Sequence, residues 1–183
     1  DEGGFLRLLN SLVRVQADGV VAFAHVNHPC LPVQRELVVG GLLAGVAAAV
    51  KETRPGTRVV GVEPATIQRY AESRKAGHPV EVPMGATLAD GLMLTKTGEH
   101  NYPLIDKYVD EIVPATDDFI VKGLMEIIFR SKLLIEPSAA VGVAAALEGN
   151  FKVRKGEKVC FFLSGGNIDP DKLASFIMKG QNV

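Results

Sequence analysis

Tryptophan is absent, and aromatic residues are only 6% of the chain, so there is no material for a platform that stacks nucleic-acid bases. Charge of one sign is also lacking. Twenty Lys and Arg face 21 Asp and Glu, and the net charge of −1 steers the chain toward neither nucleic acid nor an anionic membrane. The two cysteines, Cys30 and Cys160, are too few for a disulfide framework and suit a reducing, cytoplasmic compartment. No apolar run approaches the ~20 residues of a membrane span. The opening DEGGFLRLLN has no basic stretch followed by an apolar one, so no secretory leader is expected. Walker loops and Gly-x-Ser-x-Gly elbows do not occur. His25, His28 and Cys30 are spaced like part of a zinc site, but without a nearby fourth ligand they read as a loop, and no metal is expected.

What is there is apolar and regular. Hydrophobic residues are 47% of 183, enough for a domain with its own core. Residues 1–36 form an unassigned N-terminal segment. Phe5, Leu6, Leu8, Leu9, Leu12 and Val13 recur at helical spacing, Gly19 to Ala24 is a short apolar run that reads as a strand, and HVNHPCLP reads as a loop. Residues 37–183 alternate strand and helix patterns. ELVV reads as a short strand, and GGLLAGVAAAVKE as a glycine turn opening a helix that RPG closes. TRVVGVEP is a strand, and Thr66 to Ala76 a helix stopped by Gly77. His78 to Tyr102 is rich in turns, and YVDEIVPA is a strand. ATDDFIVKGLMEIIFRSK is a helix with Thr116 as cap, acids in its first turn and bases at its end. Pro137 opens another helix, KVCFFL is a buried strand holding Cys160 as a small hydrophobe, and PDKLASFIMK is the last helix. The pattern predicts an α/β fold, a parallel sheet with helices on both faces.

Three constellations could carry chemistry. Gly40 and Gly41 stand between a strand and a helix N-terminus, an arrangement that presents free N–H groups and a positive dipole end to an anion, or that simply lets a helix pack closely. Val38 and Val39 before them do not tolerate positive φ, which restricts how far that turn can wrap a phosphate. Ser164 ends the run VCFFL and precedes two glycines, where a hydroxyl would be delivered to a tight turn. Glu136 precedes Pro137 at a helix start, where a lone acid would offset the dipole.

Taken together, the strings GlyGlyLeu at 40–42, GlyValGluPro at 61–64, GluProSer at 136–138 and SerGlyGlyAsnIleAsp at 164–169 resemble the C-terminal half of threonine dehydratases and serine racemases. These are pyridoxal-phosphate enzymes of the tryptophan-synthase-β fold (fold type II), and the resemblance runs from about residue 37 to 180. It implies part of that fold's large domain, with Gly40, Gly41 and Leu42 at the cofactor phosphate, Ser164 facing the pyridine nitrogen and Glu136 beside the ring. MGATLADGL, residues 84–92, resembles a family segment near the cofactor face, which makes Asp90 a candidate, although an Asp before Gly is common in turns. Related racemases hold a divalent cation with the residue matching Glu63, a carbonyl four positions on and an acid six positions on. Here those positions are Ile67 and Arg69, and an Arg removes an oxygen ligand, so no cation is expected.

The family's Ser-x-Lys-x-Arg string, with the lysine that covalently holds the cofactor, does not occur in these residues, and neither does its Ser-Ser-Gly-Asn loop. The first lysine, Lys51, falls on a helix face expected to be exposed. No catalytic residue is therefore assigned. The resemblance implies a portion of a lyase that removes water and ammonia from serine or threonine, or of a racemase. Its substrate would be a small amino acid, and it would form a homo-oligomer or pair with a full-length subunit. The alternative is a non-catalytic remnant that binds or regulates such an enzyme.

Overall fold

The computed structural model describes the backbone of residues 20–23 and all of residues 40–180. The expected N-terminal helix, the HVNHPCLP loop and the ELVV strand lie outside these residues. Among the described residues, four strands form one sheet: β1 (Val20–Phe23), β2 (Val59–Pro64), β3 (Glu111–Ala115) and β4 (Val159–Phe162). Their order is β3-β2-β1-β4 and every pairing is parallel. The apolar run near residue 20 is thus a strand hydrogen-bonded on both sides, with Val21 opposite both Val59 and Cys160.

Parallel strands need long crossovers, and the helices supply them. Helix α1 (Gly41–Thr53) precedes β2, α2 (Arg69–Ala76) and α3 (Tyr102–Tyr108) lie between β2 and β3, and α4 (Asp117–Glu126) and α5 (Pro137–Glu148) connect β3 to β4. The last helix is α6 (Pro170–Gly180). Strand alternation sorts the core onto two faces. Val60 and Val62 meet Val141, Ala144 and Ala145 of α5, with Val159 and Phe161 alongside. On the other face Val59 meets Leu43, Val46 and Ala47 of α1, with Cys160 and Phe162 alongside. All six residues of β2 are buried, as a strand covered on both faces requires. Small residues bring α4 and α5 close: a β-carbon at Gly123 would lie 3.0 Å from the Ala144 nitrogen.

Several expectations shift. Strand β4 is half-buried rather than buried, because among the described strands it is an edge with β1 as its one neighbour. Cys160 is accordingly half-buried, and that burial pushes its thiol pKa up. Helix α2 begins at Arg69 instead of Thr66, since Ile67 N closes a turn onto Pro64 O; it ends at Gly77, whose φ of 75° is left-handed. Helix α3 was not expected: its seven residues fall between the turn-rich stretch that ends at Tyr102 and the strand pattern that begins at Tyr108, too short a piece to show a period. Thr116 occupies the N-cap of α4 with extended backbone, but its hydroxyl donates to Glu148 and makes no cap bond. Asp117, expected only to offset the dipole, also accepts from the Thr87 hydroxyl at 2.7 Å and from Leu88 N. Lys51 is not on a free face; it pairs with Asp110 at 2.7 Å.

Candidate functional site

The chain runs outward from β1 through β2 to β3, then returns to place β4 on the other side of β1. Neighbouring strands whose connections leave in opposite directions open a crevice at their carboxyl ends, where ligands of open α/β sheets bind. Ser164 lies two residues beyond the end of β4, at this edge.

Three segments converge there. The glycines of the 164–166 turn have ordinary negative φ, so their need is space rather than backbone freedom. A β-carbon on Gly165 would sit 2.6 Å from the Glu136 carboxylate, and one on Gly166 would sit 2.9 Å from Leu134 O. Glu136 grips the turn with both ends: its N–H donates to Gly165 O at 3.1 Å, and its Oε2 accepts from Asn167 N at 3.2 Å. The third segment is the 3-10 turn Asp90–Leu92. Gly91 N donates to the fully buried Ser138 hydroxyl at 3.0 Å, and a β-carbon at Gly91 would meet that oxygen at 2.9 Å. Asp90 accepts from Gly91 N and takes Lys172 of α6 at 3.3 Å.

Electrostatics follow from burial. Glu136 is 7% exposed, and desolvation raises its pKa, opposed by the Asn167 N–H and reinforced by the Asp90 charge. A carboxyl held this way can keep its proton and donate, or lose it and accept.

On the other side of the sheet, Gly40 caps α1 with φ 87°, a left-handed conformation that glycine adopts without strain. No side chain caps this helix and its first turn has no acid. Its leading N–H groups therefore keep their positive potential. Leu42 and Gly41 follow, both half-buried. Glu63, at the end of β2, serves a different helix. Its two oxygens accept from Tyr70 N at 2.8 Å and Ala71 N at 3.1 Å, capping α2. Desolvation raises its pKa to about 7, with the Arg69 charge as the main opposing influence. Arg69 is itself buried, and its Nη1 donates to Leu92 O and Leu94 O, both at 3.1 Å. A guanidinium thus stands beside Glu63, and the Ile67 side chain is fully buried.

The structure brings Glu136, the Ser164 turn and the Asp90 turn together, and sets the Gly40 turn at the start of α1. His25, His28 and Cys30 lie outside the described residues. Sequence reasoning missed Ser138 and Asn167 as tethers. The signal for Ser138 was faint: a hydroxyl after Pro in the first turn of a helix. Asn167 acts through its backbone, which no side-chain pattern reports.

Comparison with known proteins shows the family and the fold. The profile of the family described as pyridoxal-phosphate dependent enzyme matches residues 36–165. An L-threonine ammonia-lyase of Geobacter sulfurreducens is 39% identical over 141 residues, 77% of this chain and 35% of the relative. Human serine racemase is 35% identical over 85% of this chain and 47% of its own length. Among solved structures, maize serine racemase superposes with TM-score 0.74 at 30% identity, over 96% of this chain and 50% of that one. The processed threonine deaminase isoform 2 of tomato, Solanum lycopersicum, reaches 0.78 at 25% identity, over 96% and 48%. This chain thus spans about half, or less, of the length of the relatives it matches.

Proposed function

The chain belongs to the pyridoxal-phosphate dependent enzyme family, and from that membership we propose that it forms the cofactor-facing part of an ammonia-lyase or racemase acting on small hydroxy amino acids. One observation carries the reading: the Ser164 turn, Glu136 and the Asp90–Gly91 turn are locked together at the carboxyl edge of the sheet.

The residues present suit a phosphorylated pyridine. Gly40, Gly41 and Leu42 offer an uncapped helix N-terminus to the phosphate. Ser164 would face the ring nitrogen, a hydroxyl partner that does not force protonation as a carboxylate would. Glu136, close-packed against Gly165, would line the ring edge and hold or release a proton at its carboxyl oxygen. When bound, the cofactor supplies an electron sink for charge that develops at the amino acid's α-carbon. Ser138 keeps the Asp90–Gly91 turn in place.

No Ser-x-Lys-x-Arg string occurs in the 183 residues, so chemistry needs a lysine from outside them. That same fact favours a second reading, a non-catalytic partner of full-length subunits. Titration of the chain with pyridoxal phosphate, followed by borohydride reduction and peptide mapping, tests the first reading. Saturable binding weakened by Ser164→Ala, without a stoichiometric lysine adduct, is the expected result. No saturable binding would reject it.

A further inference from the structure

Arg69 carries a full positive charge in the interior, where it is 2% exposed. A buried charge persists only where oxygens or counter-charges surround it. Its Nη1 donates to Leu92 O and Leu94 O, both at 3.1 Å, and the centre of the Tyr70 ring lies 5.0 Å from its guanidinium carbon. Its charge is the strongest influence favouring the ionised form of Glu63. A carboxylate and two main-chain carbonyls around one buried positive charge are the hard-oxygen surroundings that calcium or magnesium takes. Here the charge is covalently part of α2.

In the racemases that this chain resembles, a divalent cation is held by the residue matching Glu63 and by an acid six positions on; here that sixth position is Arg69. The residues present do not fit a metal. Both Glu63 oxygens already accept from amides, Tyr70 N at 2.8 Å and Ala71 N at 3.1 Å. The Leu92 and Leu94 carbonyls are taken by the guanidinium. A divalent ion would also meet the Arg69 charge away from bulk water, where repulsion is poorly screened.

We propose that Arg69 is a built-in cation that takes the place of an exchangeable metal and positions the Asp90 turn. Leu92 ends that turn, and Gly91 N ties its other side to the Ser138 hydroxyl. Helices α2 and α5 therefore clamp the turn from two sides, one through a guanidinium and one through a hydroxyl, and neither clamp needs a bound ion. The order of this turn is insensitive to divalent cations and to chelators. The inference goes beyond the proposed activity and does not depend on cofactor binding by the chain.

The test strips the 183-residue chain with a chelator and then titrates it with magnesium, manganese and calcium. Two quantities are followed: the unfolding midpoint, and hydrogen exchange at residues 89–94, where the Leu92, Met93 and Leu94 amides are bonded within the turn. Neither should move. A divalent ion that raises the wild-type midpoint, slows exchange in that segment or stays bound at one per chain would overturn the proposal. Two variants separate charge from packing. Arg69→Ala and Arg69→Asp should each speed exchange at 89–94 by about tenfold, the typical worth of one hydrogen bond to a charged group. Added divalent ions should reverse that change in Arg69→Asp, which puts an acid at this position, and not in Arg69→Ala. A folded Arg69→Asp chain indifferent to all three ions would reject the replacement of a metal by Arg69. Unchanged exchange in both folded variants would reject its positioning role. Should neither variant fold, the wild-type titration decides alone. Failure of the chain to bind pyridoxal phosphate would count against the proposed function and leave each of these outcomes as it stands.

Discussion

Glu136 and Gly165 are in such close register that the carboxylate occupies the space of a side chain on the turn, 2.6 Å from where a β-carbon would stand. The glycine is there for the acid. This pairing fixes the Ser164 turn against the start of α5, and it is the most sensitive joint in the candidate site.

Gly165→Ala should therefore displace Glu136. Overpacking of a fitted site typically costs about 1–3 kcal/mol. Urea unfolding should show that loss, and a second change, Glu136→Ala, should recover part of it by removing the clashing atoms. An additive double variant would count against the contact.

The pH dependence of stability has a defined sign. Glu63 has a folded pKa of about 7, above its unfolded value of 4.5, so the native chain binds the extra proton between those two values. Stability from this group is full below pH about 4.5, falls as pH rises to about 7, and then levels, with a total change on the order of 3 kcal/mol. Glu136 adds a contribution of the same sign. Denaturant midpoints of wild type minus Glu63→Gln, measured from pH 4.5 to 8, should show this decline. A flat difference would contradict the burial argument.

The 183-residue chain alone should release neither ammonia nor 2-oxo acid from L-serine or L-threonine above the level of free pyridoxal phosphate. Without the family's lysine string there is no positioned base, and positioned proton transfer is worth ~10²–10⁴-fold. Coupled assays on homogeneous protein would settle it. Clear turnover would place the base on a residue named here only as structural.

Several large apolar side chains stand in solvent. Phe129 and Leu133 are half exposed, Leu134 is 59% exposed and Met178 63%. Exposed apolar surface tends to find partners where it is contiguous. Sedimentation should show self-association or a mixed assembly, and a dye for apolar surface should bind the free chain. A monodisperse, dye-negative monomer with cooperative unfolding would show that the fold covers itself.

Much of the fold was legible along the chain because periodicity and punctuation are local. The apolar runs of β2 and β4, the Gly77 stop of α2, Pro137 at the head of α5 and the acids opening α4 are each written within a few residues. The short α3 was hidden because seven residues carry too little period to read, and contacts far along the chain hold it: Ile105 packs against α1, the Tyr102 hydroxyl donates to Ser73 O and Arg74 donates to Ile105 O. Thr116 had the right residue type for a cap, but Glu148, 32 positions away, took its hydroxyl.

By itself the sequence determined the two periodicities, the parallel α/β class, and the strings at 40–42, 136–138 and 164–169 that mark the family. These depend on neighbours along the chain. Tertiary structure alone decided that Val20–Phe23 lies inside the sheet, that β4 crosses to its other side and opens the crevice, and that Glu136 fills the gap left by Gly165. It alone set the buried phenol of Tyr70 against Gly40. Contacts between residues 30 positions apart are fixed by which faces must be buried together, and no local pattern encodes that choice.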